Sequence, residues 1–400
     1  MADKFSDFVN KKLDDIIELK YGKGLPKRSR IPGYFPVYGS GGIIDYHSEA
    51  LVSGPGIIVG RKGSIGTVFY EKNDFYPIDT VFYVALKSEN LDLYYLSNLL
   101  NKVGFQRLDS DAAVPGLNRE VALRQQVKIP PLPTQRKIAA ILSAYDDLIE
   151  NNLRRIKILE EMAQNLYREW LVNFRFPGHE KVRMVDSPLG KIPEGWEGKL
   201  VGEVIETLGG GTPSTKELSY WTSGSINWYS PSDLTAAGSM FISESSKKIT
   251  QLGFDKSSAK LFPSYSFMMT SRATIGVISI NTEKACTNQG FITCIPNDRL
   301  SVFHLYFWVK ENSEKIMVVA SGATFNEISM GEFREFPIIV PPVSIENTFT
   351  KLVEPMCKFI ENLIKKNYTL RQTHDLLLPK LISGQLDVSE LDIAIPEGNA

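Results

Sequence analysis

The chain has few residues that bind metal or form cross-links: three cysteines and four histidines among 400 residues. Cys286, Cys294 and Cys357 form no Cys-x-x-Cys pair, and any disulfide would leave an odd thiol. Neither a disulfide frame nor a zinc site is therefore expected. No apolar run is long enough to span a bilayer, and Met1-Ala2-Asp3-Lys4-Phe5 has none of the apolar core of a secretory signal. The expected compartment is the cytoplasm, with no membrane partner. Net charge is lacking too, at −1. A protein that grips nucleic acid unaided is usually basic, because neutralising phosphates supplies most of the affinity. The local distribution softens this objection. Lys20, Lys23, Lys27, Arg28 and Arg30 follow one another with no acidic residue between them.

Catalytic signatures are absent as well. Gly54 to Ser64 resembles a phosphate loop only loosely, since Arg61-Lys62-Gly63-Ser64 follows Gly60 without the required spacing. Gly209-Gly210-Gly211 lacks the strand–helix context of a dinucleotide site and reads as a turn. There is no His-Glu-x-x-His, no nucleophile elbow, and no Asn-Pro-Pro-aromatic motif of the kind that holds a flipped base for methylation.

What the chain does contain is a duplication. Gly63-Ser64-Ile65-Gly66 returns as Ala273-Thr274-Ile275-Gly276, and Val127-Lys128-Ile129-Pro130-Pro131 as Ile338-Ile339-Val340-Pro341-Pro342. A repeat this long exceeds solenoid periods of roughly 50 residues and means two copies of a domain. The starts align as Lys12-Leu13 with Lys199-Leu200, which leaves the second copy an insertion around Tyr220 to Phe254.

A long helical stretch follows each Pro-Pro pair. Ile138, Leu142, Tyr145, Ile149, Asn152, Ile156, Leu159, Ala163, Leu166 and Trp170 fall at alternating four- and three-residue steps. The matching series runs from Phe349 to Leu381 and includes Asn367 and His374. This is the seam of a left-handed coiled coil. Asn152 and Asn367 are either buried polar residues that set the register or, with Trp170 and His374, contacts for a partner. Thr134 and Ser344 read as N-caps, and Gly178 and Gly384 as stops. Pro355 and Pro379 are expected to kink or delay the second helix.

The expected fold is α+β: two similar globular domains separated by a pair of long antiparallel helices, with pseudo-two-fold symmetry. Its segments are 1–133, a first domain; 134–177, a first helix; 178–342, a linker and second domain; 343–384, a second helix; and 385–400, a tail. Strands are expected at Gly56 to Val59, Thr80 to Val84, Gly276 to Ile280 and Phe291 to Ile295, and helices at Leu93 to Asn101 and Val302 to Asn312. Between them, small-residue loops carry base-reading chemistry: Arg and Lys address guanine, Asn and Gln adenine, and Ser or Thr either. In the first copy the candidates are Lys23, Lys27, Arg28, Ser40, Arg61, Lys62, Ser64 and Asn118. In the second they are Ser230, Ser271, Arg272, Thr274, Gln289 and Asn326.

This order of parts resembles the specificity subunit of a type I restriction–modification system over nearly the whole chain. The resemblance rests on Ile129-Pro130-Pro131-Leu132-Pro133-Thr134-Gln135-Arg136-Lys137-Ile138 and on Leu166-Tyr167-Arg168-Glu169-Trp170-Leu171-Val172-Asn173-Phe174. It rests also on Ile192-Pro193-Glu194-Gly195-Trp196 and Leu377-Leu378-Pro379-Lys380-Leu381-Ile382-Ser383-Gly384-Gln385-Leu386. It implies a non-catalytic subunit whose two target-recognition domains each read half of a split site on double-stranded DNA. Two methyltransferase subunits and restriction subunits would be its partners. S-adenosylmethionine, ATP and magnesium would then belong to those partners, leaving no cofactor on this chain. The readings left beside it are a chain that is itself a methyltransferase or nuclease, and a bivalent scaffold without nucleic acid. Asp79-Thr80 departs from the Asn-Gln pair seen in the second copy, so no base-reading role is carried over to Asp79.

Overall fold

The computed structural model describes residues 8–108, 116–272, 274–321 and 327–395. The chain divides into two compact units that ignore its linear order. One comprises 1–150 and 368–400, the other 151–367. Each unit therefore holds one globular domain together with a part of each long helix.

In the first unit, apolar runs rich in β-branched residues build a four-stranded antiparallel sheet. Its order is Ile17–Tyr21, Val81–Leu86, Gly56–Gly60, Val68–Glu71. A three-stranded sheet follows, ordered Gly42–His47, Phe35–Gly39, Tyr76–Pro77. Gly56–Gly60 is buried along its whole length, as a central strand covered on both faces should be. Helix Leu93–Val103 is capped by the Asp92 carboxylate, which accepts a hydrogen bond from Tyr95 N, and it ends at Gly104 in the left-handed conformation.

The second unit repeats this topology strand for strand. Its larger sheet runs Glu206–Gly209, Phe291–Ile295, Phe267–Thr270, Ile278–Asn281, with Phe241–Ile242 added at the edge. Its smaller sheet runs Lys247–Ile249, Ile226–Tyr229, Ala285–Thr287. Helix Pro231–Ala237, the added strand and helix Gln251–Asp255 fall inside the expected insertion. The starting alignment needs a one-residue correction. Leu13 N donates to Gln125 O and Val201 N to Phe336 O, so Leu13 corresponds to Val201 rather than to Leu200. Strand Ile278–Asn281 starts later than expected because Gly276, with φ +80°, is still in the turn.

The long helices are Leu132–Tyr167 and Val343–Ile382, 36 and 40 residues. Every seam position is buried or half-buried. In the first unit Ile138 and Leu142, early in one helix, share a core with Leu381 and Ile382 at the end of the other. In the second unit Ile156, Ala163 and Tyr167 share a core with Phe349, Val353, Ile360 and Leu363. Within each unit the start of one helix meets the end of the other, so the pairing is antiparallel.

Several helix details differ from expectation. Both helices start directly after their Pro-Pro pairs, so Thr134 and Ser344 lie inside the first turn and cap nothing; the proline carbonyls Pro131 O and Pro342 O accept the first helical bonds. Pro355 and Pro379 leave the second helix uninterrupted, because both sit on its exposed side where water can satisfy the orphaned carbonyls. Gly384, φ +76°, does end that helix, with Leu386 N donating to Lys380 O. Gly178 is not the first stop; that helix passes into a π-turn, Arg168–Val172, and Phe174 takes the left-handed conformation at φ +58°. The linker after it is folded. Hairpin Met184–Ser187/Gly190–Pro193 and the buried Phe176, Ile192 and Trp196 belong to the second core.

Three of the four helix residues offered as partner contacts need correction. Asn152 Nδ2 donates to Asn367 Oδ1 at 2.8 Å with both residues buried, and Trp170 is packed near Phe349. Their side chains serve this chain's own interior. His374 is half-buried beside Asp375, with its ring centroid 6.5 Å from that of Tyr145.

Candidate nucleic-acid interface

The duplicated motif lies in the turn joining Gly56–Gly60 to Val68–Glu71 in the first larger sheet and Phe267–Thr270 to Ile278–Asn281 in the second. Among the main-chain hydrogen bonds that hold this turn in the first domain, four recur in the second. Gly60 N donates to Thr67 O, Gly66 N to Gly60 O, Arg61 N to Thr80 O and Leu117 N to Arg61 O, at 2.8–3.0 Å. Gly66 is required here: φ is +71°, and an added Cβ would lie 2.4 Å from Gln106 N. The second domain repeats the same four bonds. Thr270 N donates to Val277 O, Gly276 N to Thr270 O, Ser271 N to Gly290 O and Ile328 N to Ser271 O, at 2.9–3.0 Å.

The frame is conserved between the copies while its side chains change. Arg61, Lys62 and Ser64 of the first turn correspond to Ser271, Arg272 and Thr274 of the second, and Asp79 corresponds to Gln289. A rigid backbone carrying interchangeable polar side chains can present different hydrogen-bonding patterns to a ligand of repetitive shape.

Residues 6–161 and 193–372 match the sequence model of the type I restriction modification DNA specificity domain. The chain belongs to that family. Among curated relatives, the type I restriction enzyme MjaIX specificity subunit of Methanocaldococcus jannaschii is 33% identical over 205 residues, covering 51% of this chain and 46% of that protein. The HindI specificity subunit of Haemophilus influenzae is 25% identical over 394 residues, covering 82% and 85%. The first match thus spans about half of its relative, the second most of it. The crystal structure of a type I restriction-modification system S subunit from M. genitalium shares the fold, with TM-score 0.63 and 16% identity over 94% of this chain and 96% of that one.

Within this specificity-domain frame the candidate residues separate by environment. Arg61, Lys62, Ser64 and Ser40 come together. Thr67 Oγ1 donates to Ser40 O at 2.6 Å, and a Cβ at Gly63 would lie 3.1 Å from Ser40 Oγ. Lys62 and Ser64 are exposed. Lys23, Lys27 and Arg28 are exposed on the segment leading to the smaller sheet; Arg30, between them and that sheet, is bonded to Asp45 at 3.0 Å. Asn118 caps helix Arg119–Leu123, accepting from Glu120 N and Val121 N, so its carbonyl oxygen is occupied.

In the second domain Thr274 and Gln289 are exposed, with Gln289 Oε1 accepting from Thr212 Oγ1 at 2.6 Å. Asn288 N donates to Tyr229 O, which places Ser230 beside this loop. Ser230, however, caps helix Pro231–Ala237 and donates to the Asp233 carboxylate at 2.6 Å. Burial pushes that carboxyl up, but the bonds from Ser230 and Ser246 outweigh it and hold its pKa below the ordinary value. Ser271 is only 3% exposed, which corrects its assignment as a reading residue. Arg272 Nε meets Glu327 Oε1 at 2.6 Å. Asn326 and most of both longer shared loops, 109–115 and 322–326, lie outside the described residues.

Reasoning from sequence missed Tyr21, Thr212 and Glu327, which hold Arg61, Gln289 and Arg272 respectively. Thr212 alone had a local signal, its place beside the glycine run. No helix among the described residues is long and apolar enough to cross a membrane, and among them no group of three or more His, Cys, Asp or Glu is placed to hold a metal ion. Burial pushes the Cys286 and Cys294 thiols up to about 12, which suppresses the reactive thiolate.

Proposed function

We propose that the chain is the non-catalytic DNA-specificity subunit of a cytoplasmic type I restriction–modification complex. Each domain reads one half of a bipartite, asymmetric site, and the paired helices set the unread spacer between the halves. The observation that carries this reading is the four-bond frame repeated around Arg61 and Ser271, dressed with different polar side chains. A repeated frame suits the repeated geometry of a duplex, and different side chains suit two different sequences.

Two methyltransferase subunits bind the outer helix faces, where Leu148, Ile158, Met162, Leu352, Phe359 and Leu376 are 46–66% exposed. Apolar side chains gathered on exposed helix faces favour partner binding. Those subunits bring S-adenosylmethionine and flip the target adenine; restriction subunits bring ATP and magnesium. A chain of charge −1 leaves much of the backbone grip to them.

The test is genome-wide mapping of methylated adenine in cells carrying the complex. Lys62→Ala is expected to relax base preference in one half of the site and Gln289→Ala in the other, each by about 10- to 100-fold, as for loss of one base contact. Methylation without sequence preference in the wild type would end the proposal, as would both halves changing together in either variant.

A further inference from the structure

We propose that Tyr21, Arg61 and Arg119 form a clamp for one backbone phosphate of DNA, built into the first domain and missing from the second. The inference rests on the DNA-reading function proposed above and adds a contact that function does not require. Tyr21 ends its strand opposite Phe82, with ring centroids 5.0 Å apart, yet is 52% exposed. Arg61 Cζ lies 4.8 Å from the Tyr21 ring centroid and 5.8 Å from that of Phe82, while its Nη1 donates to Asp79 O at 3.2 Å. Arg119 Cζ lies 5.7 Å from the same Tyr21 ring.

Two guanidinium groups thus converge on one exposed aromatic ring. The main chain brings them there: Leu117 N is bonded to Arg61 O, and the Asn118 cap fixes where Arg119 leaves the loop. Among the described residues neither group meets a carboxylate within ion-pair distance, whereas Arg30, Arg168, Arg175, Arg183 and Arg272 all do. Two guanidinium groups beside one exposed ring, neither of them paired with a carboxylate, favour an anion there. A stacked guanidinium keeps its in-plane N–H donors free for the paired oxygens of a phosphodiester.

The second domain supplies the contrast. Its places equivalent to Tyr21, Arg61 and Arg119 hold Gly209, Ser271 and Met330. A Cβ on Gly209 would lie 3.3 Å from Met330 Cε, so the same corner is filled by an uncharged thioether. The nearest turn cation there, Arg272, is already bound to Glu327. The first domain is therefore the more cationic of the two reading heads.

A phosphate contact positions the duplex and carries no sequence information. The test is a salt titration of affinity for the methylated target duplex, using the complex assembled with its methyltransferase subunits. Arg119→Ala and Tyr21→Ala are each expected to reduce the slope of log K against log salt by about one and to leave the methylated sequence unchanged. Arg119→Lys, which keeps the charge, should retain the slope, as should Arg124→Ala, whose side chain already pairs with Glu120. An unchanged slope in Arg119→Ala, a lost slope in Arg119→Lys, or a changed base preference in either Arg119 variant overturns the clamp. Failure of the wild-type complex to prefer any sequence would instead sink the parent function, so the two failures are distinguishable.

Discussion

Gln135 and Glu346 occupy the same place in the two copies, one turn into each long helix, and both are nearly fully buried. Gln135 Oε1 accepts from Asp92 N at 3.0 Å while its Nε2 donates to Pro130 O and Asn90 O. Glu346 Oε1 accepts from Ser301 N at 3.0 Å, and its Oε2 lies 2.7 Å from His304 Nδ1. Each side chain ties a long helix to the capping residue of its own domain's helix. Burial pushes the Glu346 carboxyl up, but the charge and hydrogen bond of His304 and the Ser301 N–H outweigh it and hold its pKa below the ordinary value. A depressed carboxyl pKa contributes stability that is complete above the unfolded value of about 4.3 and is lost as pH falls through the folded one. Glu346→Ala strands two buried donors and should cost about 3 kcal/mol in urea unfolding at neutral pH. Glu346→Gln, which copies the first domain, should flatten the loss of stability below about pH 4; an acid limb as steep as the wild type's would refute the assignment. Neither tie was visible in the sequence, because the partners lie more than forty positions away.

Among the elements, the two long helices were the most legible. A 3.5-residue apolar repeat can be buried in one way only, along a seam, and the seam is where the sequence put it. Their ends were less legible. The residues at the starts are prolines rather than hydroxyl caps, and the first exit is a π-turn with no composition of its own. The asparagine pair shows what a polar residue does inside such a seam. Asn152→Leu alone leaves Asn367 without its donor and should destabilise by roughly 1–3 kcal/mol. The double change, Asn152→Leu with Asn367→Leu, should recover most of that loss, because two apolar groups need no partner. A double-mutant cycle on thermal unfolding measures the coupling; additive losses would show that the pair makes no net contribution.

At the scale of the whole molecule, residues 381–388 belong to the core of the first unit. The first unit takes Leu381, Ile382 and Val388 from the C-terminal part into its core, each 2% exposed or less, and Lys137 Nζ donates to Ser389 O. A chain cut before Leu377 should lose roughly 6 kcal/mol from that unit at 2–3 kcal/mol for each buried side chain, comparable with the whole stability of a domain. Amide exchange should then accelerate across Ile17–Tyr21 and Val81–Leu86 while Phe267–Thr270 and Phe291–Ile295 stay protected. Equal exchange in both units would contradict the division of the core.

Duplication, helix seam, sheet strands and family could all be read from the residue order, because each depends on local periodicity or on motifs that repeat within one chain. Which polar side chains stay free to meet a ligand could not. Ser271 is buried, Ser230 and Asn118 are spent on helix caps, and Arg272 is held by a glutamate, while Tyr21 and Arg119 stand open beside Arg61. Hydrogen-bonding groups take whatever partner the fold brings within about 3 Å, and those partners come from strands and loops far off in sequence.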